Sequence, residues 1–174
     1  MIWLILAVLV LVGWIVYTIN SFRAKEIKVT EGLSGVEVAL TKRYDVLSKM
    51  LDASKGYLDY ERSLFSEIVH IRTNMTLKEI SSTEKQMDQV TEQIYAVAEK
   101  YPNLKSSRVF MELEAGISDA EEHLEAARRV YNSNVRIYNT AIAKFPASIL
   151  AGKRKPKAFF EAKTGVHVDL KMTF

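Results

Sequence analysis

The first twenty residues, MIWLILAVLVLVGWIVYTIN, carry no charged side chain, and within residues 1–17 only Gly13 falls outside the apolar and aromatic set. At about 1.5 Å of rise per residue, roughly 20 helical residues cross a hydrocarbon core of ~30 Å. Trp3, Trp14 and Tyr17 suit the interfacial zones, with Trp14 somewhat deep. A cleaved signal peptide fits less well, because no basic segment opens the run and no A-x-A site follows it. The expectation is an uncleaved transmembrane anchor over residues 1–21, a juxtamembrane linker over 22–30, a helical bundle over 31–146 and a basic, aromatic tail over 147–174.

Arg23, Lys25 and Lys28 follow the span, whereas only the α-amino group precedes it. The positive-inside bias then puts the bundle in the cytoplasm. In the 174-residue chain, seven Gly and three Pro leave little room for long loops. The absence of Cys removes disulfides, thiolate metal sites, Cys nucleophiles and thioether lipid attachment. A net charge of +3 gives no reason to expect nucleic acid as a partner.

Beyond Thr30 the apolar residues recur at helical spacing. Leu40, Tyr44, Leu47, Leu51 and Ser54 form one seam, and Tyr60, Leu64, Ile68, Ile71 and Met75 a second. The phase changes at Lys55-Gly56-Tyr57, so two helices are expected, over about 31–55 and 58–75. Ser81 with Glu84 three residues on reads as the capping box of a third helix, with Met87, Val90, Ile94, Val97 and Tyr101 on its seam. Pro102 ends that helix, and Asn103 is placed to cap the next.

The fourth seam is the longest and runs from Phe110 to Phe145, about 40 residues or roughly 60 Å of helix. It has a stutter between Ala127 and Val135, which relaxes supercoiling. Glu112, Glu121, Glu122, Glu125, Arg129 and Arg136 share its solvated face. Tyr131-Asn132 repeats as Tyr138-Asn139 at a distance of two turns, so both pairs share one face. Together with Arg43, Asp45 and Arg128 they are read as a buried polar network that sets helix register, or as a ligand groove lined by the same groups.

The fold class expected is all-α: a transmembrane helix followed by an antiparallel, up-and-down four-helix bundle. That topology returns the end of the fourth helix to the membrane. Lys153, Arg154, Lys155, Lys157, Phe159 and Phe160 follow directly, and cations beside aromatics suit an anionic headgroup layer. The alternative is a solvated basic turn whose two Phe fold back onto the bundle. The last stretch, TGVHVDLKMTF, alternates as a short strand would, or is a mobile end.

The segments KRYD (42–45), KGY (55–57), AEKYPNLKS (98–106), EAARRVYNSNVRIYNTAIAKFP (125–146) and FFEA (159–162), in this order and spacing, resemble the LemA family over residues 20–161. The double Tyr-Asn followed by Phe-Pro is the most specific part. The chain departs from the family in helix 1, where KRYDVLSKML lacks the usual Pro, and GLSGVEVAL replaces a common Ala-Trp. The resemblance implies a four-helix bundle behind one membrane segment in a bacterium or archaeon, without an established catalytic activity. It also implies a family in which some members are implicated in shaping internal membranes, including magnetosome formation. Others carry a lipoprotein cysteine that puts the bundle outside the cytoplasm, which leaves orientation open between the two sides.

Glu67-Ile-Val-His70 is a lone E-x-x-H. A di-iron bundle needs two such motifs and two further Glu, yet His123 has Ala120 where its Glu belongs. No catalytic or cofactor-binding residue and no resident cofactor is expected. The leading expectation is a non-enzymatic, single-pass scaffold or membrane-organising factor that meets the lipid bilayer and either a protein partner or a second copy of itself. The alternatives are a metal protein or enzyme using Glu67 and His70, and an envelope-stress module working beside a membrane protease.

Overall fold

The computed structural model describes residues 1–54 and 75–160. Every regular element among them is helical: α1 (Ile2–Ser54), α2 (Leu77–Lys100), α3 (Pro102–Lys105), α4 (Arg108–Ala143) and α5 (Ser148–Ala151). The protein is thus all-α behind a long apolar N-terminal helix. The helix expected over 58–75, and with it the fourth member of a bundle, lies outside the described residues, as does the tail beyond residue 160.

α1 is one unbroken helix of 53 residues, about 80 Å long. It runs straight through the segment read as a linker, 22–30. Up to Tyr17 its side chains are exposed or, at Ile15, half-buried. A window of this helix is long and apolar enough to cross a membrane. From Thr18 onward a buried seam begins, with Phe22, Val29, Gly32, Val36, Leu40, Arg43, Leu47 and Leu51 at steps that keep to one face.

That seam packs mainly against α4, whose buried residues are Phe110, Ile117, Ala120, Leu124, Tyr131, Val135, Tyr138 and Ile142. The register is antiparallel: Lys28 pairs with Asn134, Gly32 with Tyr131, Lys42 with Asp119 and Val46 with Gly116. α2 starts beside the middle of α1, where the Met75 amide donates to Glu37 at 2.9 Å. It then lies along both helices through Arg43–Asp88 and the Tyr95–Phe110 edge contact at 6.5 Å between ring centres.

Two helix starts differ from the expectation. The capping box is Thr76–Glu79, five residues before the expected Ser81–Glu84: the Thr76 hydroxyl accepts from the Glu79 amide and the Glu79 carboxylate accepts from the Thr76 amide. Starting there adds Ile80, fully buried, to the apolar seam. Ser81 and Glu84 are interior positions, and Glu84 is spent on an ion pair described below. Likewise α4 is capped by Ser107, which accepts from the Phe110 amide, and not by Asn103, which sits inside the single turn of α3.

α1 and α4 approach each other closely at Gly32. A Cβ there would meet the Cα of Tyr131 at 3.1 Å and the Asn134 amide nitrogen at 3.2 Å. A backbone atom cannot swing aside. Gly to Ala inside a helix ordinarily gains about 1 kcal/mol, but overpacking typically costs about 1–3 kcal/mol. Gly32→Ala is therefore expected to destabilise the fold by about 1 kcal/mol, measured by chemical unfolding of the detergent-solubilised chain.

Candidate functional site

α4 ends at Ala143, and a cis Phe145–Pro146 bond and the short α5 follow. At Gly152 the chain reverses with φ +59°, a value that a Cβ disfavours. Residues 153–160 then lie back along α4. Arg154 sits over the buried Phe22 ring at 5.3 Å, and Lys157 reaches Glu26 of α1 at 2.9 Å.

The heptad-spaced asparagines hold this strap. Asn139 donates from Nδ2 to the Lys157 carbonyl and accepts at Oδ1 from the Lys157 amide, both at 2.9 Å. Asn132 does the same to Phe160, at 3.1 and 2.9 Å. Seven helical residues advance about 10.5 Å, and three extended residues advance about 10 Å. The two Asn–backbone pairs therefore fit only if the strap is extended and antiparallel to α4. The Tyr131 hydroxyl donates to the Ala158 carbonyl at 3.0 Å between them. Phe160 is buried edge-on to the Tyr131 ring at 4.9 Å, and Lys157 lies 5.9 Å from the Tyr138 ring centre.

A second polar centre ties three helices. Arg43 of α1, 1% exposed, donates from Nη2 to Asp88 of α2 at 2.7 Å and to Glu121 of α4 at 3.0 Å. Arg128 of α4 pairs with the buried Glu84 of α2 and lies 5.8 Å from the Phe160 ring centre. Burial, and then the like charge of Arg43, pulls the Arg128 guanidinium below its ordinary value. Nε and Nη1 of Arg43, Nε of Arg128 and Oε1 of Glu84 are buried without a hydrogen-bond partner among the described residues.

The sequence-predicted residues thus divide. Tyr131, Asn132 and Asn139 do converge, but they grip the strap backbone and not neighbouring helices. Tyr138 is buried beneath Lys157, and Arg43 and Arg128 belong to the ion cluster. Asp45 is exposed and takes no place in either centre, because it lies two residues from Arg43, on the other side of α1. Of the residues read as a lipid-contact cluster, Arg154, Lys157 and Phe160 are turned onto α1 and α4. Lys153, Lys155 and Phe159 remain exposed.

Glu84, Asp88, Glu121, Asn134 and Glu26 carry much of this polar framework; Glu84 was expected only as a cap and Glu121 only on a solvated face, and the other three carried no expectation here. Glu84 had a signal: three positions before Met87, it is a charge on an apolar seam. Asn134 Nδ2 donates to the Lys28 carbonyl at 2.8 Å, beside the Gly32 approach.

Among the described residues no group of three His, Asp or Glu side chains can hold a metal ion. Glu67 and His70 lie outside those residues. A cleft between α2, α3 and α4 is lined by Tyr95, Glu99, Lys105, Phe110 and Glu114. There, burial first and then the Glu114 and Glu121 charges push the Tyr95 phenol up, which disfavours its ionisation at neutral pH.

Two sets of measurements follow from this geometry. Asn132→Ala removes two hydrogen bonds worth about 1 kcal/mol each. A spin label on Phe159→Cys should then become mobile while the helix content is unchanged. Lys157 is pushed above its ordinary 10.5, first by its hydrogen bond to Glu26, and burial pushes Tyr131 above its ordinary 10.0. Each group therefore favours the docked strap below those ordinary values, and each contribution is lost as pH rises through its folded value. The same label should stay immobile at pH 8 and loosen in strongly alkaline buffer.

Glu84→Ala strands Arg128 in the core and should cost about 3–5 kcal/mol in chemical unfolding. Arg43→Met should cost less, because Asp88 and Glu121, with side chains 34% and 48% exposed, can rehydrate.

A family model described as the LemA family matches residues 32–174, most of the chain, with the ion cluster and all of both polar centres except Phe22, Glu26 and Lys28 of α1. Protein LemA of Metamycoplasma hominis is 26% identical over 158 residues, which cover 87% of this chain and 72% of that protein. Magnetosome protein MamQ of Magnetospirillum gryphiswaldense is 28% identical over 75 residues, 41% of this chain and 28% of MamQ. The strap-binding repeat Tyr-Asn, the segment that it grips and the helix α4 that carries it all lie inside the matched region: this chain belongs to the LemA family.

Proposed function

We propose that the protein is a single-pass, non-enzymatic scaffold that holds a rigid helical body against a membrane surface and organises that membrane through protein contacts. The observation that carries this reading is the continuity of α1. One helix is both the exposed apolar anchor and the buried core of the body, with no hinge between them. A rod so built transmits position and tilt from bilayer to body. MamQ, a magnetosome protein, supports a membrane-organising role for its matched relative.

The exposed face of α4, with Glu122, Glu125 and Arg129, is the surface offered to a protein partner or a second copy. The positive-inside bias of Arg23, Lys25 and Lys28 supports a body on the cytoplasmic side. Cross-linking in native membranes tests the scaffold. Adducts of the full chain should be lost in a Glu122→Lys, Glu125→Lys, Arg129→Glu variant that still folds. Unchanged adducts, or no adducts from the wild type, would refute this assignment. Orientation is read separately: a cysteine at exposed Met111 should react with an impermeant maleimide only after lysis, and reaction in intact cells would place the body outside.

A further inference from the structure

The packed body begins before the anchor ends. Thr18 and Phe22 are buried, yet the first charged residue of the chain is Arg23. Among the described residues, part of what packs there is the far end of the chain: α5 lies against α1, and Arg154 covers the Phe22 ring. The antiparallel register leads to the same place. Asn134 of α4 meets Lys28 of α1, and helices with equal rise carry the end of α4 to the level of residues near 20. The connection between α4 and α5 therefore sits beside the last turns of the span, where roughly 20 residues exhaust the hydrocarbon core.

At that level the connection and α5 turn apolar side chains outward. Phe145 is 76% exposed and Ile149 is 71% exposed. Lys144, Lys153 and Lys155 are exposed around them. For a surface in water this is a poor arrangement. For one at the boundary between acyl chains and headgroups it is favourable, since apolar groups enter the chains and cations meet anionic headgroups.

We infer that the α4–α5 connection together with α5 is an interfacial wedge: Phe145 and Ile149 insert into the leaflet that α1 leaves, and Lys144, Lys153 and Lys155 on either side of it lie on its anionic headgroups. The inference rests on α1 spanning the bilayer. It moves the lipid contact away from Arg154, Lys157 and Phe160, which the strap uses internally. It also gives the body a second attachment beside α1, which fixes its rotation about the anchor.

The absence of Cys makes the test direct. Single cysteines replace Leu9, Met111, Phe145 or Ile149 in the full chain, each carrying an environment-sensitive fluorophore. The chains are reconstituted in vesicles of phosphatidylcholine with phosphatidylglycerol. The wedge predicts blue-shifted emission at Phe145→Cys and Ile149→Cys that doxyl-labelled lipid quenches. Met111→Cys should keep an aqueous spectrum and Leu9→Cys should be quenched. Omitting phosphatidylglycerol should reduce quenching at 145 and 149 but not at 9.

Aqueous spectra at 145 and 149, with Leu9→Cys quenched, would overturn the wedge and leave the anchor standing. Blue-shifted but unquenched emission there would overturn it in favour of a protein covering, such as a second copy. An unquenched Leu9→Cys would overturn the anchor and the wedge together.

Discussion

The closeness of α1 and α4 at Gly32 is the constraint from which the rest follows. Only because the two backbones nearly touch there can Asn134 reach a main-chain carbonyl of α1 and lock the register of two long rods. With the register set, Arg43 faces Glu121, and Lys42 faces Asp119. At the opposite end, the same register sets α5 and the strap against Phe22 and Glu26. One missing methyl group thus governs contacts along most of the body.

α2 and the strap divide the α1–α4 seam between them. α2 covers the part distal to the anchor and the strap covers the part next to it. Arg128 stands where they meet, paired to Glu84 on one side and stacked near Phe160 on the other. Placing a buried and a partly buried arginine so close together is unfavourable in itself, and burial followed by the Arg43 charge lowers the Arg128 guanidinium. The carboxylates of α2 and α4 offset that cost and make the position of α2 specific, whereas apolar packing alone would tolerate sliding.

Much of this was readable from residue spacing. The seams of α1, α2 and α4 follow from apolar steps of three and four, and the end of α2 from Pro102. The start of α2 was misread because TLKE and SSTE present the same capping pattern. Only the burial of Ile80 and the pairing of Glu84 with Arg128 decide between them. The partners of Asn132 and Asn139 were hidden for a different reason. They are main-chain groups of an irregular segment, and a backbone amide leaves no mark in the amino-acid pattern. The span's continuation into the body was equally silent, since a charged stretch such as 22–30 suits a linker and a helix alike.

The strap is held almost wholly by its peptide groups. Two asparagine amides read Lys157 and Phe160 through N–H and C=O, and a tyrosine hydroxyl reads the carbonyl of Ala158. Such a grip is blind to most side chains but strict about length. The grip itself makes no demand on the side chains of residues 155, 156 and 158, which stay exposed. A single insertion between 157 and 160 would put the two asparagines out of step. The double Tyr-Asn is in this sense a ruler: it sets a distance and leaves open what is written along it.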